Sequence, residues 1–324
     1  MPPTKEHWQE KSEEDRKINI LQNSCFMKLI DGKEISSIIK KEIAAEVAEL
    51  IDAGKPAPHF AVILVGDDGA SQTYVNSKEK SGKEVGFTTS VYRFPASITE
   101  KEVLETIKFI NEDDEINGLL VQLPLPEHIS EEKVIHAIDP SKDVDGFHPE
   151  NIGKMVLGEA TCIPATPSGI MELFKRADIE TQGKNCVIIG RSHIVGSPMS
   201  ILMSRDSNPG NATVTLCHSK TENLKEIAKQ ADILIVALGR PEFIDASYVK
   251  KGACVIDVGV SRVPDSTRKS GYKIVGDVKF DEVSKVADAI TPVPGGVGPM
   301  TIAALLQNTL RSYKRQEGIT QSCK

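Results

Sequence analysis

Ser71, Tyr74 and Lys78 are spaced i, i+3 and i+7, so a helix over 70–85 would project all three from one face. Tyr74 and Lys78 would then lie near the carboxyl end of the preceding strand, where a helical lysine is either an ordinary solvated surface group or a catalytic one. The amine can take a proton from water only if burial lowers its affinity for one; if it stays charged, it orients water or offsets developing negative charge. Gln122 closes the apolar run Leu119-Leu120-Val121 just before Leu123-Pro124, where an α/β sheet presents polar groups to its crevice. In Lys142-Asp-Val-Asp-Gly146, Asp143 and Asp145 could share a metal with His148, or could cap turns and accept a ligand's N–H groups.

A second constellation is the run from Asn185 to Pro198, which reads as a buried strand, a tight glycine turn at Gly190 and a helix with Pro198 in its first turn. Backbone N–H groups at such a turn face an anion. Gly190 and Gly196 are separated by five residues, however, so the Gly-x-Gly-x-x-Gly fingerprint is absent. The run is therefore either a phosphate cradle or an ordinary strand-to-helix turn. A strand predicted over 212–217 ends in His218-Ser219-Lys220, where NAD-specific folds commonly place an acid on the ribose. Ser219 there, with Arg191 in the turn, suits a 2′-phosphate and hence NADP. His193 and His218 titrate near neutrality, but neither has a sequence partner and neither is assigned catalysis. Tyr74 and Lys78 are similar to the Tyr-x-x-x-Lys pair of short-chain dehydrogenases. That pair follows the nucleotide turn, whereas here it precedes Gly190 by more than a hundred residues, and the order excludes the assignment.

These residues need elements to hold them. Ile35, Ile38, Ile39, Ile43, Val47 and Leu50 recur at helical spacing and Gly54 stops the helix. Strands are predicted over 59–66, 88–94 and 116–123, with helices over 70–85 and 99–112, the latter opened by Thr99 with Glu102 three residues on. Such alternation implies parallel strands with the crevice at their carboxyl ends. Residues 124–157 hold Pro124, Pro126, Pro140 and Pro149 with one short predicted helix at 130–138, which suggests a domain boundary. Beyond it, a helix from Thr166-Pro167 to about Ala177 leads to strands at 185–190, 212–217, 232–238, 253–259 and 273–277. The run Thr291–Thr301 precedes a helix over 300–314 expected to pack back on the first domain. The expected fold is two α/β domains with a cleft between them, the C-terminal one a Rossmann-like doubly wound parallel sheet. Residues 1–24 are an expected disordered extension, 25–146 the first domain with helix 300–315 against it, and 147–299 the cofactor domain.

The 324 residues are 40% hydrophobic and 26% charged, as in a globular chain, and a net charge of -7 leaves no basic excess for nucleic acid. No apolar run approaches the ~20 residues that span a bilayer. The six cysteines lack Cys-x-x-Cys spacing, and Cys186, Cys217 and Cys254 fall in predicted strands, as reduced core residues of a cytoplasmic protein would.

Taken together the chain resembles the bifunctional methylenetetrahydrofolate dehydrogenase/cyclohydrolase family from about Leu29 to Arg315. The likeness rests on Tyr74-Val-Asn-Ser-Lys78, Val121-Gln-Leu-Pro-Leu-Pro126, Lys142-Asp-Val-Asp-Gly146, Gly190-Arg-Ser-His-Ile-Val-Gly-Ser-Pro198, Thr213–Thr221 and Pro292-Val-Pro-Gly-Gly-Val-Gly-Pro-Met-Thr301. The family's Gly-Arg-Ser-x-x-Val-Gly replaces the usual fingerprint, which accounts for the odd turn. The resemblance implies oxidation of 5,10-methylenetetrahydrofolate by NADP and hydrolysis of the methenyl product to 10-formyltetrahydrofolate. It implies that Tyr74 stacks on the folate, Lys78 serves hydrolysis assisted by Gln122, and Asp145 accepts from the pterin. Val121, Pro294 and Gly295 then belong to the folate site, and Gly190, Arg191, Ser192, Ser219, Val260 and Thr301 to the cofactor. It also implies a homodimer; two acids and one histidine at 143–148 make a weak metal motif, and no metal is expected. One departure is Lys78-Glu-Lys80-Ser81-Gly82, whose glycine weakens a helix by about 1 kcal/mol against alanine. The competing readings are a dehydrogenase without cyclohydrolase activity and a non-catalytic folate- or nucleotide-binding module.

Overall fold

A computed structural model describes residues 27–268 and 271–319. The expected N-terminal extension, Cys25 and Cys323 lie outside the described residues. The chain enters as a two-residue strand, β1 (Lys28–Leu29), after which the Asp31 carboxylate accepts the Glu34 N–H and starts α1 (Gly32–Asp52). Ile39, Ile43 and Val47 form the buried face of α1, as their spacing requires. There follow β2 (His59–Val65), α2 (Gly69–Glu84), β3 (Thr88–Phe94), α3 (Glu100–Glu112) and β4 (Gly118–Val121). The strands are parallel in the order β3-β2-β4, with β2 central and buried from Phe60 to Val65. Thr99 and Glu102 close a reciprocal capping box on α3.

The proline-bearing stretch holds two helices, α4 (Glu131–Ala137) and α5 (Pro149–Leu157), where the sequence reading gave one. Pro149 sits in the first turn of α5, where a missing N–H costs nothing, and His148 Nδ1 accepts the Glu150 N–H at 3.1 Å. A proline read as a breaker is in fact a helix start.

The second half runs α6 (Ala165–Arg176), β5 (Asn185–Ile189), α7 (Gly196–Ser204), β6 (Thr213–Cys217), α8 (Leu224–Ala228), β7 (Ile233–Val236), β8 (Cys254–Asp257), β9 (Ser261–Pro264), β10 (Tyr272–Val275), α9 (Phe280–Val283), β11 (Ala289–Ile290) and α10 (Val297–Gln316). Six parallel strands form one sheet in the order β1-β11-β8-β7-β5-β6. Two features differ from the expected order. The strand predicted over 273–277 leaves this sheet and pairs antiparallel with β9 as a separate ribbon. Lys28–Leu29, read with the first domain, pairs with β11 at the edge of the second sheet. Alternation reveals that a short segment is extended, but its neighbour is chosen by tertiary packing.

Eleven residues of α10 are buried, from Val297 to Tyr313, and the helix lies against α1 and α6. One continuous apolar cluster includes Ile43, Phe60, Leu120, Ile188, Ile235 and Leu306, so the two sheets share a core through these helices. Asn308 lies in this core and its Nδ2 donates to the carbonyl oxygens of Val144 at 2.9 Å and Ile163 at 2.8 Å. The segments that lead to α5 and α6 are thereby attached to one helix.

Candidate active site

The inward face of α2 is Ser71, Val75, Lys78, Ser81 and Gly82, and it packs on the three-stranded sheet. A Cβ on Gly82 would stand 2.5 Å from Phe60 Cε1 and 2.7 Å from Thr89 Cγ2. The glycine that weakens the helix therefore lets it approach the sheet. That approach places Lys78, only 7% exposed, so that its Nζ donates to Gln122 Oε1 at 3.1 Å. Gln122 is held in turn because its N–H continues the ladder to Ile63 O at 2.9 Å. Tyr74, 40% exposed, stands on the cleft side of the same helix.

The Lys142–Gly146 segment divides its labour. Lys142 Nζ donates to the carbonyl oxygens of Ile110, Asn111 and Asp113 at 3.0, 2.9 and 2.6 Å, closing the C-terminus of α3. Asp143 accepts from Gly146 N–H at 3.0 Å, His148 N–H at 2.8 Å and Asn151 Nδ2 at 2.9 Å, so its oxygens serve its own turn. Among the described residues no group of three or more His, Cys, Asp or Glu is arranged to hold a metal ion. Asp145 alone is left facing the cleft. Burial raises its carboxyl above the ordinary range, the Lys78 charge opposes the rise, and Asp143 adds to it.

Tyr74, Lys78, Gln122 and Asp145 line a cavity of about 320 Å³ whose other wall is Phe147, Thr166, Ile194, Val258, Val260 and Thr301. A neighbouring cavity of about 740 Å³ shares Tyr74, Val258 and Val260 and continues past Pro294 and Gly295 to Lys33, Ser36 and Arg262. The two form one cleft between the sheets. Val121, 6% exposed, lies behind Gln122 in the core and lines neither cavity. Phe147, Thr166, Ile194 and Val258 are cleft residues that the sequence reading missed. Thr166 carried a signal, since it stands in the first turn of a helix, and its Oγ1 lies 3.0 Å from Thr301 Oγ1.

The glycine turn lies at the end of β5. Gly190 has φ 125°, and a Cβ there would be 2.2 Å from Ala237 O; on Gly196 it would be 1.9 Å from Gly190 O. The five intervening residues arch over this close approach, with Ser192 Oγ accepting the Val195 N–H at 3.1 Å and Ser192 O the Ser197 N–H at 3.0 Å. Because Ile189 pairs with Cys217, the segments after β5 and β6 lie side by side. Arg191, Ser192, Ser219 and Lys220 are exposed there, and no acid stands between Gly190 and His193 or between His218 and Lys220. This donor set, beside the N-terminus of α7, fits a phosphorylated dinucleotide. Val260 and Thr301 lie in the catalytic cavity rather than at the turn, so a cofactor reaching both would lie along the sheet edge.

Comparison with known proteins agrees in both halves. Residues 30–145 match the tetrahydrofolate dehydrogenase/cyclohydrolase catalytic domain, and residues 164–317 its NAD(P)-binding domain. The chain is 60% identical over 288 residues to the bifunctional protein FolD of Flavobacterium johnsoniae, covering 89% of this chain and 98% of that one. It is 58% identical over 286 residues to that of Cytophaga hutchinsonii, covering 88% and 99%. Among solved structures, the bifunctional FolD of Campylobacter jejuni superposes with a TM-score of 0.84 at 48% identity, over 90% of this chain and 99% of that one. The Trypanosoma brucei FolD, solved with NADP and an inhibitor, gives 0.85 at 38% identity over 89% and 98%. Two half-chain matches in the same order, relatives alike over nearly their full length, and a cleft between the matched halves lead to one conclusion: the chain belongs to the tetrahydrofolate dehydrogenase/cyclohydrolase family.

Proposed function

We propose that the chain oxidises 5,10-methylenetetrahydrofolate with NADP and hydrolyses the methenyl product to 10-formyltetrahydrofolate. The observation that carries this reading is the buried Lys78 Nζ bonded to Gln122 Oε1, in a cavity whose facing wall includes Ile194, Val258 and Val260 of the cofactor half. When bound, NADP would supply the acceptor for a hydride lost from the methylene carbon. That step needs alignment more than proton transfer, because the resulting cation is shared by the two flanking nitrogens. Tyr74 would stack on the folate, Asp145 would accept from pterin N–H groups, and Pro294 and Gly295 would bound the folate beyond. Arg191, Ser192 and Ser219 would hold the 2′-phosphate side of the cofactor, with Gly190 admitting the backbone and Val260 and Thr301 at the nicotinamide.

In hydrolysis, water oxygen bonds to the methenyl carbon while a proton leaves the water. The carbon–N5 bond of the resulting hydroxyl adduct then breaks as the hydroxyl gives up its proton to form the formyl C=O and N5 takes one up, so one proton is released overall. Lys78 would handle the water proton, a reading supported by the Gln122 Oε1 contact that holds its Nζ at the cavity. This contact favours the bifunctional reading over a dehydrogenase alone or a binding module. Lys78→Met is expected to lower methenyltetrahydrofolate hydrolysis at least about 100-fold, within the range of positioned acid–base groups, while leaving NADP binding intact. Hydrolysis at the wild-type rate above the spontaneous background would refute it.

The cofactor unit is taken as 147–299 and the folate unit as 25–146 with helix 300–315, as the sequence suggests. A homodimer is expected because most oligomers are symmetric homo-oligomers, and light scattering on the purified chain decides it. No helix among the described residues is long and apolar enough to cross a membrane. Among the described residues, four buried free cysteines support a reducing, cytoplasmic setting.

A further inference from the structure

β7 and β8 end side by side at the cleft, and two carboxylates are enclosed by the loops that leave them, Asp257 also bordering the larger cavity. Asp277 is fully buried and Asp257 is 3% exposed. Asp277 accepts from the backbone N–H groups of Leu238 at 2.6 Å, Gly239 at 2.9 Å and Arg240 at 2.7 Å, the loop that follows β7. Asp257 accepts from Gly259 at 3.0 Å, from Asp277 at 3.0 Å and from Val278 at 2.9 Å, while its own N–H donates to Thr291 Oγ1 at 2.8 Å. Six N–H donors from three loops thus converge on two side chains.

The local glycines follow from this arrangement. A Cβ on Gly276 would stand 1.8 Å from Asp257 Oδ2, and one on Gly259 would stand 2.3 Å from Asp277 Cγ. Oxygens ringed by N–H donors are oriented for donors rather than for a cation. Nor do they close the sheet, because the β7–β8 ladder is made by backbone groups. What they fix is the mutual placement of residues 238–240, 258–260 and 276–278. Val258 and Val260 line the catalytic cavity. The segment after β7 flanks the glycine turn, since Ala237 O meets Gly190.

We propose that Asp257 and Asp277 are positioning residues for the dehydrogenase step. Asp257 fixes the Val258–Val260 wall against which the nicotinamide and the folate must align, and Asp277 fixes the 238–240 loop at the cofactor edge. The proposal rests on the dehydrogenase reading above. Hydrolysis draws on Lys78, Gln122 and Asp145 from the opposite wall and has no hydride to align with a nicotinamide.

The experiment measures both activities on the same preparation of the full chain: NADP-dependent oxidation of methylenetetrahydrofolate, and hydrolysis of supplied methenyltetrahydrofolate. Asp257→Asn keeps the shape but turns one acceptor into a donor facing N–H groups. It is expected to lower dehydrogenase kcat about tenfold or more, since small misplacements cost up to about 100-fold, with KM for NADP within about threefold. Asp277→Asn is expected to raise KM for NADP about tenfold. Hydrolysis should stay within about twofold of wild type in both. Equal loss of the two activities, or loss of neither, overturns the positioning role. If both variants fail to fold, Thr291→Val decides, as a near-isostere that removes only the acceptor of the Asp257 N–H. A roughly threefold selective fall in oxidation supports the role, and an unselective change overturns it. A wild-type chain that hydrolyses but never oxidises would overturn the dehydrogenase reading itself.

Discussion

Arg191 is the side chain proposed to favour NADP over NAD. It is exposed beside Ser219, whose segment lies next to the glycine turn because β5 and β6 are in register. A charge-assisted hydrogen bond is worth about 1.5–3 kcal/mol, roughly 10- to 150-fold in affinity. Arg191→Ala should therefore raise KM for NADP at least about tenfold and leave KM for NAD within about threefold. Parallel changes for the two cofactors in steady-state assays would show that Arg191 does not read the 2′-phosphate. The same scale explains Lys142-Asp-Val-Asp-Gly146, where three charged residues within four positions have three different duties. Two are consumed by backbone groups, and Asp145 alone is free for a ligand.

At the scale of elements, the instructive feature is α2. By helix propensity, Gly82→Ala should gain about 1 kcal/mol. The new methyl would meet the buried Phe60 ring at 2.5 Å, and overpacking of that kind costs about 1–3 kcal/mol. The expected net result is destabilisation in urea unfolding, with weaker hydrolysis because Lys78 moves away from Gln122. A more stable variant of unchanged activity would mean that α2 has room to spare.

The whole molecule is held by α10. Leu306 lies in the cluster that joins both sheets, so Leu306→Ala should cost about 2–5 kcal/mol. Because both halves share that cluster, the variant and the wild type should each unfold in a single calorimetric transition. Two resolved transitions would show that the halves fold independently. The cleft that lies between them is thus a property of the shared core.

Read alone, the sequence determined most of the main elements and supplied the candidate chemistry: the capping box at Thr99, the alternation that makes parallel sheets, the Tyr74–Lys78 pair on one helix, Gln122 at a strand end and an arginine–serine pair with no acid. These are local signals, carried by spacing and residue type. Tertiary structure alone decided that Asp143 faces its own turn while Asp145 faces the cleft, that the strand at 272–275 leaves the main sheet, and that Gly82 is a contact rather than a weakness. It also decided that Asp257 and Asp277, two acids with no nearby motif to mark them, gather six N–H groups at the cofactor wall. Each of these outcomes depends on which distant backbone arrives beside a residue, and packing across a fold is not written in the spacing of any one segment.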